Sequence, residues 1–538
     1  MIQIFVLSFI SIVIATTGTC GENVKWEYNE KSKLLTISGS GKMNDYSSGN
    51  DPEYVKYRTE AKSIQIVEIE SIGNYAFYRF SKVENVHISD TVKTIGEYSF
   101  AKCSGIIDLT IGEMVTSIGK EAFAGCSYLK SVVIPNRVNE LKSSTFAKCV
   151  ALETVTLGGD VSKLEDSVFY DCQKLKTIHM PVKLSSLGML CFSYCKSLET
   201  ITFGEGITHI SDYAFMNCEK LKEVTFPKKV KTIGGNAFSN CANLQKVTFN
   251  EELTEIGEYA FSNCNLTSVR IPASVKTIKS RAFSGCPQIS DVKFHGTTQP
   301  TCGTDLFQQT SIDTVYVIYD YTGDIFCGKK TSFFGVAGNE VDWFYDKDKS
   351  LLRIEGNGEM QNTQPDYTRF KGKFSTVQIG EGITSIGNNA FDGFEIIQTV
   401  TLPQTLKLIG QYAFRNCHKL TNVILPKQLE TIKQSAFEEC LQLTHIVLPS
   451  NLQSMSEKVF AETRRLKSVV FEGTKEPQCS ISVFYQSAVE KIKVTEEYVD
   501  GNSFCGKETT VETLNIQSDN SLGISILFMI ISMIFFFI

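Results

Sequence analysis

Eleven cysteines stand at one recurring place along the chain: Cys103, Cys126, Cys149, Cys172, Cys195, Cys218, Cys241, Cys264, Cys286, Cys417 and Cys440. Thiols at regular spacing could ligate metal ions or relay electrons, but either use needs accessible thiolates. The alternative is a small apolar group filling one repeated slot of a core, and we read them so, because free cysteine packs as a compact hydrophobe. Histidine, which most acid–base, nucleophilic and metal sites draw on, numbers only six. His87 and His179 share a repeat phase but lie four repeats apart, about 19 Å at the spacing of paired strands, too far to share a metal. His209, His295, His418 and His445 each fall at a different phase. There is no H-E-x-x-H, no G-x-S-x-G, no P-loop and no C-x-x-C. Carboxylates such as Glu251, Glu252 and Glu255, or Asp108 and Glu153, read as solvated surface positions. The residues therefore predict no enzyme, no cofactor and no metal site.

What positions the cysteines is a repeat. Phe77, Phe100, Phe123, Phe146, Phe169, Phe192, Phe215, Phe238 and Phe261 follow one another at intervals of 23, Phe283 and Phe307 continue at 22 and 24, and a second series runs Phe391, Phe414, Phe437, Phe460, Phe484. One unit is well shown by Leu221, Val224, Phe226, Pro227, Val230, Ile233, Gly234, Ala237, Phe238 and Cys241. Alternation over Leu221 to Phe226 predicts a short strand with Val224 and Phe226 inward and Thr225 outward. Pro227 ends it, a turn leads to Val230 and Ile233, Gly234 is expected to supply a backbone conformation that other residues resist, and Ala237, Phe238 and Cys241 return to the core. A unit of this length cannot bury its apolar face alone, so neighbours must stack as parallel strands about 4.8 Å apart in a right-handed solenoid.

The pattern I-G-x-x-A-F-x-x-C-x-x-L-x-x-V-x-[IF]-P resembles the BspA type of leucine-rich repeat, found in surface proteins of anaerobic bacteria and parasitic protists, over roughly Ile64 to Val494. The resemblance implies an extracellular leucine-rich repeat protein, in some members an adhesin for host matrix or other cells, and it brings no catalytic residues. The fold expected is an α/β-type repeat solenoid, a parallel β-sheet with short irregular or 3-10 return segments, in two capped solenoids in tandem followed by a C-terminal transmembrane helix.

The tandem is read from a larger duplication. Trp26, Tyr28, Leu34, Leu35, Ile37, Gly39, Gly41 and Met43 recur at a constant offset of 317 as Trp343, Tyr345, Leu351, Leu352, Ile354, Gly356, Gly358 and Met360, which predicts a β-hairpin cap before each solenoid. After each solenoid Phe294, Gly296, Pro300, Cys302, Phe307 and Tyr321 recur at 177 as Phe471, Gly473, Pro477, Cys479, Phe484 and Tyr498. Phe326-Cys327-Gly328-Lys329 is answered by Phe504-Cys505-Gly506-Lys507. Each far cap thus holds two cysteines, and in a secreted protein the pairs Cys302–Cys327 and Cys479–Cys505 are the disulfides to expect. Cys191 sits where other repeats carry alanine, as at Ala214, and reads as core. The expected boundaries are a signal peptide at 1–19, β cap 20–62, repeats 63–294, C-terminal cap 295–338, second β cap 339–377, repeats 378–471, second C-terminal cap 472–515, linker 516–521 and anchor 522–538.

Composition agrees with a folded exterior protein. The 538 residues carry a net charge of −6, which offers no basic field for nucleic acid. Met1 to Ala15 is apolar and leads into small residues near Gly18, a secretory leader by pattern. Leu522 to Ile538 is uncharged and about 25 Å long as a helix, which reads as a single-pass plasma-membrane anchor or, alternatively, a signal exchanged for a lipid anchor. Either way the body faces outward, with proteins or glycans on host or neighbouring cells as partners. The outward strand column, Thr110, Thr156, Thr202, Thr225, Thr248, Arg270, Lys293 and Thr401, is the candidate binding face. Threonine also simply suits exposed strands. A coat protein with no dedicated ligand therefore stands as the alternative to an adhesin. One sequon, Asn265-Leu266-Thr267, is a glycosylation candidate.

Overall fold

The computed structural model describes residues 15–362 and 365–511. The expected anchor at 522–538 and the first fourteen residues of the expected leader lie outside them, and no helix among the described residues is long and apolar enough to cross a membrane. The chain divides into two compact units, 1–331 and 332–538.

Each coil of either solenoid starts with a short strand such as Glu223–Thr225 or Lys246–Thr248. The register is parallel and advances one repeat, Val224 opposite Val247 and Thr225 opposite Thr248. Val224 is buried while Glu223 and Thr225 are exposed, the alternation that a half-buried strand requires. A second ladder follows. Thr232–Ile233 pairs with Glu255–Ile256, so the stretch expected as a turn contributes a strand of its own.

The return segments are short and irregular, as expected, with no α-helix among the described residues. Among the described residues the helices are two 3-10 turns, Glu53–Tyr57 and Asp366–Phe370, both in the N-terminal caps. Every coil but that of Phe484 instead places two residues in the left-handed region, two before and two after the ladder phenylalanine, as at Tyr75 (φ 55°) and Arg79 (φ 63°). This conformation prevents a helix from propagating. The backbone then bonds between coils. Tyr75, Phe77 and Arg79 donate their N–H groups to the carbonyls of Glu97, Ser99 and Ala101 at 2.9, 2.7 and 2.9 Å. Gly234 is not in that region, which corrects the reason expected for it. An added Cβ would lie 2.6 Å from Asp212 N of the coil before, so glycine is there for close approach.

The phenylalanines form the axis of each core. Successive rings from Phe77 to Phe307 stack 4.9 to 5.8 Å apart and within 17° of parallel. Phe391 to Phe484 do likewise. Beside them run the cysteines, all eleven buried along with Cys191. Each of the eleven thiols points at the carbonyl of the phenylalanine one coil back, as Cys149 Sγ to Phe123 O at 3.3 Å and Cys440 Sγ to Phe414 O at 3.3 Å. In the last coils Thr310, Thr463 and Ser487 replace cysteine and donate to their own phenylalanine carbonyl.

The caps stop the ladders. In the first unit Ala15–Gly21, Val24–Asn29 and Leu34–Gly39 form an antiparallel meander, and Leu34–Gly39 then pairs in parallel with Ser63–Val67. Trp26 lies flat over Gly18, where a Cβ would meet the indole at 2.5 Å. Tyr54, fully buried, covers the end of the ring stack 5.7 Å from Phe77. In the second unit Trp343 lies over Gly335 in the same way, and Tyr367 stacks 5.6 Å from Phe391. In each cap a third strand, Ala15–Gly21 or Lys329–Gly338, supplies the glycine under the indole. At the far ends Phe294 packs on Phe326 and Phe471 on Phe504, each at 4.8 Å. There the structure joins Cys302 to Cys327 and Cys479 to Cys505, with Cα atoms 5.5 and 5.6 Å apart.

Candidate functional site

Strand alternation leaves an outward column in each unit, and in the first unit its backbone pairing lapses after Thr110, Thr156, Thr202 and Thr248. Thr110 lies beside His87, Thr202 beside His179, Thr225 beside Thr248 and, in the second unit, Thr401 beside Gln378. Thr110, Thr156, Thr202, Thr225, Thr248, Arg270 and Thr401 are all exposed. Lys293 is the exception and is removed from the candidate face. It lies between Arg270 and Tyr316, its side chain is 7% exposed, and its ammonium sits 3.2 Å from Asp291. Buried against its own strand, that charge is not offered to a partner. Asn265 is half-buried beside the fully buried Leu266.

The column is interrupted by a cavity that the sequence pattern did not reveal. The ladder ending at Lys246–Thr248 does not continue into Ser268–Ile271. At that lapse a cavity of about 320 Å³ is lined by Lys246, Thr248, Phe249, Glu251, Ser268, Arg270, Pro272 and His295. It gathers two of the candidate residues, Thr248 and Arg270. In the second unit the ladder lapses between Asn422–Val423 and His445–Leu448, and a cavity of about 380 Å³ is lined by Asn422, Ile424, Leu425, Lys427, His445, Val447, Pro449 and Glu472. These are the same places in the repeat, offset by 176 or 177. The frame is duplicated but the chemistry is not. Lys246, Thr248, Glu251, Arg270 and His295 are answered by Asn422, Ile424, Lys427, Val447 and Glu472, so a polar rim with two basic groups and one acid becomes an apolar centre flanked by one charge of each sign.

None of the other reactive groups converges. Burial pushes the thiol of Cys103 up to about 12 and raises those of Cys172, Cys195 and Cys417, so these four are neutral thiols directed at carbonyls rather than nucleophiles. Glu476, Cys479 and Cys505 stand close together, but both sulfurs are spent in a disulfide. The Glu476 carboxylate accepts the Cys505 N–H and clamps the cap. His445 Nδ1 lies 2.9 Å from Ser468 Oγ across the strands. Glu153, read as a solvated position, meets Lys176 of the next coil at 2.8 Å, which lowers its pKa.

The repeat has a match. A family model described as BspA type leucine rich repeat region, in six copies, covers residues 52–176, 103–222, 160–242, 208–325 and 366–490. The chain belongs to the BspA-type leucine-rich repeat family. Solved structures similar to this BspA-type chain include a leucine rich cell surface protein from Faecalibacterium prausnitzii A2-165, at 27% identity over 56% of this chain and 94% of that one, TM-score 0.34. A leucine-rich repeat protein from Bacteroides ovatus ATCC 8483 is 18% identical over 91% and 99%, TM-score 0.31. The pneumococcal vaccine antigen PcpA is 17% identical over 94% and 96%, TM-score 0.24. No curated protein matches the chain.

Proposed function

We propose that the chain is a non-enzymatic cell-surface binding protein, an adhesin or surface antigen, whose outward strand face takes a protein or glycan on host or neighbouring cells. The observation that carries this reading is the exposed column of Thr110, Thr156, Thr202, Thr225, Thr248 and Thr401, entered in each unit by a cavity at the same place in the repeat. Solenoids present such extended faces to large partners. Cavities of this size, open to the surface, hold one side chain or one sugar of a partner that the strand face engages more widely. In this reading the segment 522–538 holds the body at the surface, as a membrane span or through a lipid that replaces it. Beads coated with the full chain and screened against matrix proteins, glycans and whole cells test the reading. Saturable binding to at least one surface is the expected result. Folded protein that binds none of them overturns it and leaves the coat protein without a dedicated ligand.

A further inference from the structure

The return side of the first unit carries a groove unrelated to the strand face. The residue after the ladder phenylalanine reads Tyr78, Ala101, Ala124, Ala147 and Tyr170 in successive coils. Ala101 and Ala147 are buried and Ala124 half-buried, so three coils make a methyl floor, and the half-buried Tyr78 and Tyr170 stand at its two ends. Four coil spacings separate these tyrosines, about 19 Å. Tyr98 and Glu121 line one side and Lys102 and Lys148 the other, and the cavity measures about 530 Å³, larger than either strand-face cavity.

Two features argue that this surface is made for a ligand. Tyr75 and Tyr98 hold left-handed φ of 55° and 53°, as Tyr213, Tyr259 and Tyr412 do at the same place elsewhere, but here alone among the described residues two such tyrosines fall in successive coils. Their rings stack 4.7 Å apart at the surface rather than in the core, so the fold gains no interior packing from aromatic groups there. The backbone beneath is already paired. Tyr98, Lys102, Gly125 and Lys148 donate their N–H groups to Lys120, Ala124, Ala147 and Tyr170 at 2.7 to 2.9 Å. An extended peptide recognised through main-chain bonds would find no free row of donors.

What the groove does offer is ring faces, methyl groups and polar side chains. Tyr98 Oη donates to Glu121 Oε1 at 3.0 Å, and the Lys102 ammonium lies 5.6 Å from the Tyr78 ring centre. A pyranose has the matching chemistry, C–H faces for aromatic rings and a rim of hydroxyls for Glu, Lys and Ser. We propose that this groove is a second ligand site and that it binds an extended oligosaccharide chain. The proposal is independent of the strand-face reading.

Calorimetric titration of the full chain with cello-, chito- and manno-oligosaccharides of increasing length tests it. Affinity is expected to rise with length and level off once the sugar spans Tyr78 to Tyr170. Tyr78→Ala and Tyr170→Ala should each weaken it up to about tenfold, the loss of one ring contact. Ala124→Arg, which fills the floor, should abolish it. Lys475→Glu, at an exposed position of the second unit outside both surfaces, should change nothing, and melting temperatures report that each variant folds. The proposal is overturned if no oligosaccharide of the three series binds, if binding survives all three groove substitutions, or if extended peptides bind in a Tyr78-dependent way and sugars do not.

Discussion

Removing one ring from the middle of the ladder should loosen the solenoid locally. Phe169 is fully buried between Phe146 and Phe192, at 5.8 and 5.3 Å, and its N–H donates to Cys191 O at 2.9 Å. Its carbonyl accepts the Cys195 thiol at 3.3 Å. Phe169→Ala forfeits the transfer free energy of the ring and leaves a cavity that stacked neighbours on a fixed coil spacing cannot close. The cost for such a change is about 3 to 5 kcal/mol. Because each coil touches only its neighbours, the loss is shared among few residues. Amide exchange of the return ladder from Phe146 to Phe192 should therefore accelerate by about a hundredfold to a few thousandfold, since each 1.4 kcal/mol is tenfold. Amides at Phe77 to Phe100 and throughout 332–511 should exchange as before. Hydrogen exchange read by mass spectrometry gives both numbers at once. Equal acceleration in both units, or none anywhere, would refute the nearest-neighbour account of the core.

Other outcomes follow from the same geometry. Cys302→Ser with Cys327→Ser should lower the calorimetric melting transition of the first unit by the equivalent of about 2 to 4 kcal/mol while leaving the second unit's transition in place. The ladder thiols should resist iodoacetamide in native protein and react after unfolding; rapid native labelling of Cys172 or Cys417 would contradict their burial. Burial lifts Cys103 from an ordinary value of 9.0 to about 12, so the folded state retains a proton that the unfolded chain loses. This contribution is complete below about pH 9 and fades as pH climbs toward 12, and denaturant midpoints should fall over that window. Gly335→Val would drive a side chain into the Trp343 indole, 2.5 Å from its Cβ position, and should unfold the second cap as followed by tryptophan fluorescence.

Much of this architecture was legible because a solenoid writes its core into a period. The 23-residue spacing of phenylalanine is the stacking axis, the cysteine that follows is the slot beside it, and the recurrence of Trp26 as Trp343 marks both caps. Features that depend on how neighbouring coils meet were hidden. The sequence places Lys293 outward by alternation, yet Asp291, two residues earlier on the same strand, draws in its ammonium. Gly234 looks like a turn glycine, but the turns are made by left-handed Asn236 and Asn240 on either side of Phe238, and the glycine serves coil contact. The cavity beside Arg270, where Lys246–Thr248 and Ser268–Ile271 meet without pairing, leaves no mark in residue type. A signal for the return groove did exist, since Tyr78 and Tyr170 bracket three alanines at one phase. It shows only once the residue after each phenylalanine is known to lie along the floor of a groove.

The account rests on the strand face being a binding surface. The most direct measurement is attachment of beads carrying the full chain to cells, comparing wild type with Thr156→Glu, Thr202→Glu and Thr225→Glu combined. These positions are exposed, so the variant should fold with an unchanged melting temperature. The account predicts that attachment is lost in that variant. Attachment equal to wild type by the folded variant would contradict it.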